Sequence, residues 1–315
     1  MFGTLLILGN GFDLDLGWKT RYSDFGNSDY WPRRRYPLSH LQRFLAGKKG
    51  VDYWFDLEQC LLDYCSRSQG YVERNGIHEN IEMIEADKAF FLTLQRALRN
   101  YLIHEQMTSV NVNSYAALLL GQLIRESKKL ENIFSFNYTD IKEICNGLNL
   151  KLPTNIDTIH VHGSLSKDDI ILGVDDSEVS EGYEFMQKTV SINYESTNIL
   201  SSMAACGEVI IFGHSLGKVD EEYFRPYFEH VLKQNIQDVQ YHPRITIFTY
   251  DESSRVSILR RISQMGINRQ RLFSFCDFKI YRTKEDQEEI RRYILKRELS
   301  SSNAINSLIN ANRYL

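Results

Sequence analysis

The chain has 315 residues, 43% of them hydrophobic and 25% charged, which is room for one large or two ordinary domains. That composition excludes wholesale disorder, and a net charge of −4 argues against a dedicated nucleic-acid binder, which carries a basic excess. The basic clusters are short and read as solvated faces: Arg33-Arg34-Arg35, Lys48-Lys49, Lys128-Lys129 and Arg291-Arg292. Only the first, beside Trp31 and Tyr36, stays open as a phosphate or RNA contact. Nucleic acid is not an expected partner.

Residues 4–8 (TLLIL) form a continuous apolar run, the mark of a strand buried on both faces of a parallel sheet. It breaks at Gly9-Asn10-Gly11 and passes into a helical pattern with Gly17. Residues 26–130 then read as helices. Trp54, Leu57, Leu61 and Tyr64 share one helical spacing, and Phe90, Leu94, Ala97, Leu98 and Tyr101 share another. Ser114 is placed to cap a third helix through Glu126, with residues 118–120 buried. Strand-like runs return at 133–136, 158–161, 169–172, 208–212, 244–249 and 278–281. Helical stretches at 220–233, 253–264 and 284–297 fall between several of them, which predicts a parallel sheet with helices on both sides. Residues 187–197 give no clear pattern, and 299–315 read as a separate tail helix with Ile305, Leu308 and Ile309 on its apolar face. The expected units are 1–25 with 131–298 as a Rossmann-like nucleotide-binding domain, 26–130 as a helical insertion, and the tail.

Five cysteines, Cys60, Cys65, Cys145, Cys206 and Cys276, form no CxxC pair and leave one odd, which fits a reducing compartment. The first residues show no basic region or cleavage pattern, and no run approaches the ~20 apolar residues a bilayer span needs. The expectation is a cytoplasmic protein without membrane contact.

Polar signals sit immediately after the predicted strands. Ligands of open α/β sheets bind outside the carboxyl ends of strands, so four such tips are expected around one crevice. At the first, Gly9 and Gly11 allow a tight turn and close approach of a pyrophosphate to a helix N-terminus. The Rossmann fingerprint is not met: its third glycine position holds Leu14, and Asp24 lies in a Tyr-Ser-Asp-Phe loop rather than ending a second strand. A plain structural turn is the other reading. Asp13 must point away or hold a ribose hydroxyl or water. At the second tip, Asn137 suits a ribose hydroxyl or a water, or merely the turn, while Thr139 and Asp140 suit a helix cap.

The third tip is His160-Val161-His162-Gly163. Two histidines at i and i+2 share a strand face, yet no third ligand stands nearby in sequence, so a metal is not expected. His160 is expected in the sheet and His162 facing the crevice, as a general base or a hydrogen-bonded rim residue. The fourth tip, Gly213-His214-Ser215-Leu216-Gly217 before Asp220, satisfies the G-x-S-x-G pattern of a serine hydrolase, with His230 and His242 downstream. A hydrolase elbow leaves the other three tips without a purpose.

Together these stretches resemble the AbiH family of bacterial abortive-infection proteins. The resemblance rests on residues 8–13 with Gly17, 20–25, 54–58, 136–139, 159–165, 171–175 and 212–217 with Asp220, Tyr223 and Phe224, in that order. AbiH in turn is similar to sirtuin-like NAD-binding and NAD-hydrolysing domains. That similarity implies a Rossmann-like three-layer αβα fold with a mostly parallel sheet and a helical insertion. It implies catalytic roles for Asn137 and His162. It also implies dinucleotide contacts from Gly9, Asn10, Gly11, Asp13, Gly163, Gly213, His214, Ser215, Leu216 and Asp220. Asn10 departs from the small residue that sirtuins carry between the glycines, and the zinc-ribbon cysteines are missing, which argues against protein deacylation.

The implied ligand or substrate is NAD⁺, without a metal. Nicotinamide departs from it neutral, so no general acid is needed; Asn137 orients ribose or water and His162 takes the proton. The resemblance places the chain in phage defence, with a phage-derived trigger and room for a homo-oligomer. Two alternatives stay open: a nucleotide-binding sensor that acts through a partner, and a nuclease-type effector using Arg33 to Arg35.

Overall fold

Thr4–Leu8 cannot alternate between core and water, because every residue in it is buried. Such a strand needs cover on both faces, and the fold supplies it. The structure is a computed structural model describing residues 3–49, 56–75, 81–126, 129–166, 170–174, 179–191, 198–237 and 241–311. Trp54, Lys128, Asp169 and Asp175, and residues 192–197, lie outside the described residues.

After β1 (Thr4–Leu8) come α1 (Asn10–Asp15), α2 (Tyr22–Asn27), α3 (His40–Lys49), α4 (Leu57–Asn75), α5 (Ile81–Gln106) and α6 (Tyr115–Arg125). Then follow β2 (Leu130–Ser135), α7 (Ile141–Gly147), β3 (Asp157–His160), α8 (Ile199–Ala205) and β4 (Glu208–Phe212). The chain ends through α9 (Glu221–Gln237), β5 (Arg244–Thr249), α10 (Glu252–Gln264), α11 (Arg269–Phe275), β6 (Asp277–Arg282) and α12 (Gln287–Ala311). The six strands form one sheet in the order β3-β2-β1-β4-β5-β6, every pair parallel. This is the strand order of the dinucleotide-binding Rossmann fold, with its direction reversing between β1 and β4.

The two faces of β1 show the layers directly. Leu5 and Ile7 pack with Met203 of α8, Phe224 and Phe228 of α9 and Ile258 of α10. Leu6 and Leu8 pack with Phe12 of α1, Leu120 of α6, Ile144 of α7 and Ile290 of α12. Each fully buried Leu or Ile contributes about 1.5–3 kcal/mol relative to exposure. A third cluster joins α2, α3, α4 and α5 through Phe25, Leu41, Leu61 and Phe90 with Tyr183 and Met186. Buried Asp87 sits in it, satisfied by Ser39 Oγ, the Leu41 amide and the hydroxyls of Tyr64 and Tyr183. At the opposite, N-terminal edge of the sheet, Arg297 of α12 bridges Glu126 and Glu208 at 3.0 and 2.7 Å.

The structure departs from the sequence reading in four places. Residues 170–172 are not a strand: the Ile171 amide donates to the His162 carbonyl and its own carbonyl accepts from the Tyr138 hydroxyl, so no ladder forms. Leu118 is exposed, since Leu119 and Leu120 take the core face of α6. That helix covers the sheet beside β1 and does not join the α2–α5 cluster. The segment 299–311 is no separate element but the continuation of α12, because the serines at 300–302 tolerate helix and no glycine or proline interrupts it.

Candidate functional site

Register puts the four tips in one line. His160 pairs with Ser135, Ser135 with Leu8, and Leu8 with Phe212, so the loops leaving β3, β2, β1 and β4 start from one row across the sheet. Neighbouring strands lie about 4.8 Å apart, which brings residues distant in sequence within side-chain reach.

At the reversal point the first and fourth loops pack backbone to backbone. A side-chain carbon on Gly9 would lie 2.6 Å from the His214 Cα, and one on Gly11 would lie 2.6 Å from the Gly213 Cα. Gly213 itself holds a φ of +70°. These glycines therefore serve the joint between two loops. The Gly9 amide donates to the Phe212 carbonyl, that of Gly11 to Gly213, that of Phe12 to Gly9, and that of Gly213 to Phe248. These four amides are committed within the protein. The outward-facing residues of the two loops are Asn10 and Ser215, both exposed.

Asp13 points inward. It is buried, and accepts from Asn137 Nδ2 and Thr139 Oγ1, each at 2.8 Å. Burial pushes its carboxyl up to about 7, against the lowering effect of those two bonds. Asn137 Nδ2 also donates to the Gly9 carbonyl at 3.0 Å, so both amide hydrogens are spent in tying the β1 tip to the β2 tip. Thr139 belongs to this joint, whereas Asp140 caps α7 by accepting from the Lys142 amide.

His160 ends β3, its Nδ1 3.0 Å from the Asn137 carbonyl oxygen. His162 lies two residues beyond the strand, before Gly163 in a left-handed turn. Its Nε2 is 2.9 Å from Asp220 Oδ1. The other carboxylate oxygen of Asp220 is 3.3 Å from His214 Nε2. The Leu216 amide donates to His214 Nδ1 at 3.0 Å, which assigns the ring hydrogen to Nε2 and makes His214 a donor to Asp220. Desolvation raises the Asp220 carboxyl, but bonds from His162 and His214 and the charge of Lys188 outweigh it and hold the group well below the usual carboxylate range. Phe136 braces both rings, with centroid distances of 5.4 Å to His162 and 4.4 Å to His214.

The serine-hydrolase pattern is not realised. The left-handed residues of this loop are Gly213 and Leu216 rather than Ser215, and both nearby histidines turn to Asp220. Among the described residues no group of three or more His, Cys, Asp or Glu could hold a metal ion. Arg33 pairs with Asp29 on the surface, and Arg34 lies over the Tyr36 ring at 5.5 Å.

Sequence reasoning missed one part of the site. Glu58, at the start of α4, accepts from the Tyr22 hydroxyl at 3.2 Å and from Lys188 Nζ at 3.3 Å. Glu58 and Tyr22 fall within stretches 54–58 and 20–25, a local signal without an assigned role; Lys188 has none.

The sheet order and the row of polar tips define a Rossmann-like α/β protein whose His162–Asp220–His214 cluster lies at the carboxyl edge, beside the reversal point. The chain belongs to the family described as bacteriophage abortive infection AbiH, matching it over residues 5–242. Membership supports a bacterial anti-phage, abortive-infection role. The match contains all four tips and ends before β5. No curated protein matches the chain. No helix among the described residues is long and apolar enough to cross a membrane.

Proposed function

We propose that this AbiH chain binds a nicotinamide dinucleotide across the tips of β1, β2, β3 and β4 and hydrolyses its N-glycosidic bond. The observation that carries the reading is His162, held by Asp220 at 2.9 Å at the carboxyl edge of a parallel sheet. Such a pair suits a general base: the carboxylate orients the imidazole and stabilises the imidazolium that forms.

In the reaction, the bond between the anomeric carbon and the pyridinium nitrogen breaks. Its electron pair returns to the ring, which leaves as neutral nicotinamide. A water oxygen bonds to the carbon and its proton passes to His162. Asn137 supports this as a positioning residue, since its hydrogens are committed to Gly9 and Asp13. The exposed side chains of Asn10, whose oxygen accepts from Thr20 and whose amide hydrogens are its donors, and Ser215 support diphosphate contacts from these two loops.

The committed amide of Asn137 also favours a second reading, a sensor that binds the dinucleotide without turnover and acts through a partner. Incubation with NAD⁺ and an infected-cell lysate separates the two. Hydrolysis releases nicotinamide in a His162-dependent way, whereas a sensor gains thermal stability with NAD⁺ and yields no product.

A further inference from the structure

Three of the sequence stretches, 20–25, 54–58 and 171–175, have no part in the His162–Asp220 pair, yet described residues from each converge on one buried ion pair. Tyr22 donates to one oxygen of Glu58 and Lys188 to the other. The side chains of Lys188 and Glu58 are only 7% and 13% exposed, so both charges are largely out of water. The third stretch seats the lysine. A side-chain carbon on Gly173 would lie 2.4 Å from the Met186 carbonyl oxygen and 3.3 Å from Lys188 Cγ, and the Lys188 amide donates to the Val174 carbonyl at 3.0 Å.

This segment also touches the histidine. The Ile171 amide donates to the His162 carbonyl at 2.8 Å, and the Ile171 carbonyl accepts from Tyr138 at 3.1 Å. Four residues, 171–174, thus run from His162 to Lys188. Lys188 acts electrostatically on Asp220, and Glu58 and Asp220 both act on Tyr138, so these charges belong to one neighbourhood. A buried ion pair is seldom more stable than an apolar pair of similar size, which makes stability a poor reason for keeping it there. Asp56 also acts electrostatically on Glu58 and Asp220, so three carboxylates stand against the ammonium of Lys188 and, when it carries a proton, the imidazole of His162. The excess charge is negative.

We propose that Glu58, balanced by Lys188, makes this site select a dinucleotide whose nicotinamide ring is cationic over the reduced form whose ring is neutral. The proposal rests on the dinucleotide reading above. The selection is electrostatic: the two ligands share their ribose and phosphate groups and differ chiefly in ring charge.

The test is calorimetric titration of the full chain with NAD⁺ and with NADH, for wild type, Glu58→Gln and Lys188→Met. Wild type binds NAD⁺ about tenfold more tightly, Glu58→Gln removes most of that preference with little change in NADH affinity, and Lys188→Met enlarges it. If Glu58→Gln weakens both ligands alike, Glu58 is structural and the proposal is overturned. If that variant does not fold, Lys188→Met decides alone, and an unchanged ratio overturns the proposal. Equal binding of both ligands by wild type ends this proposal only. Binding of neither also ends the dinucleotide reading.

Discussion

Asn137 donates a hydrogen bond to Asp13 at 2.8 Å, joining residues 124 positions apart at the tips of two adjacent strands. The contact explains why a carboxyl stands inside the glycine turn: it is the fastening between β1 and β2, completed by Thr139.

That fastening is pH-dependent. Burial raises the Asp13 carboxyl from 3.8 to about 7, so between those values the native state binds more protons than the unfolded chain. Stability from this group therefore falls as pH rises through the window, by up to roughly 4 kcal/mol at about 1.4 kcal/mol per pH unit. Asp13→Asn mimics the protonated group, with its Oδ1 accepting from Asn137 and its Nδ2 donating to Thr139. Melting curves at pH 5.5 and 8.0 should show the variant gaining on wild type at the higher pH. A wild type that gains relative to the variant at pH 8.0 contradicts the assignment.

The loop joint gives a sharper mutational contrast. Gly213→Ala places a carbon 2.3 Å from the Phe12 amide nitrogen, on a residue whose φ is +70°. The loss should reach about 3 kcal/mol or more, since backbone must move. Gly266→Ala carries a similar φ of +79° with no atom within 4 Å, and should lose only about 1–2 kcal/mol. Denaturant unfolding of the two variants measures the difference.

Arg297→Ala tests how α12 is held. It leaves Glu126 and Glu208 buried without their shared cation, which should reduce stability by about 3–5 kcal/mol. Because these residues sit at the far edge of the sheet, dinucleotide affinity of the folded fraction should stay unchanged. Unfolding and titration of the same sample check both halves.

The strands were legible where burial leaves a local trace. TLLIL is a continuous apolar run, 208–212 and 244–249 are strand-like runs rich in Val, Ile and Phe, and the structure begins and ends all three at those residues. His162 and Asp220 were each visible as polar groups near strand ends, but their bond spans 58 positions and no local pattern announces it. The Glu58–Lys188 pair spans 130 positions and was invisible for the same reason. The type of Asn137 fits a ligand contact, but no local pattern shows that its amide hydrogens go to Gly9 and the buried Asp13. The glycines mark a close approach in both readings, and sequence alone does not say whether the approaching group is a phosphate or another loop.

The direct measurement is nicotinamide release from NAD⁺ by wild type, His162→Ala and Asp220→Asn in infected-cell lysate. The account predicts release by wild type, none detectable from His162→Ala, and a rate lowered about 10²- to 10⁴-fold in Asp220→Asn, all three binding the dinucleotide. Release by His162→Ala at the wild-type rate, or a folded wild type that binds NAD⁺ and never cleaves it, would contradict the assignment of a catalytic base.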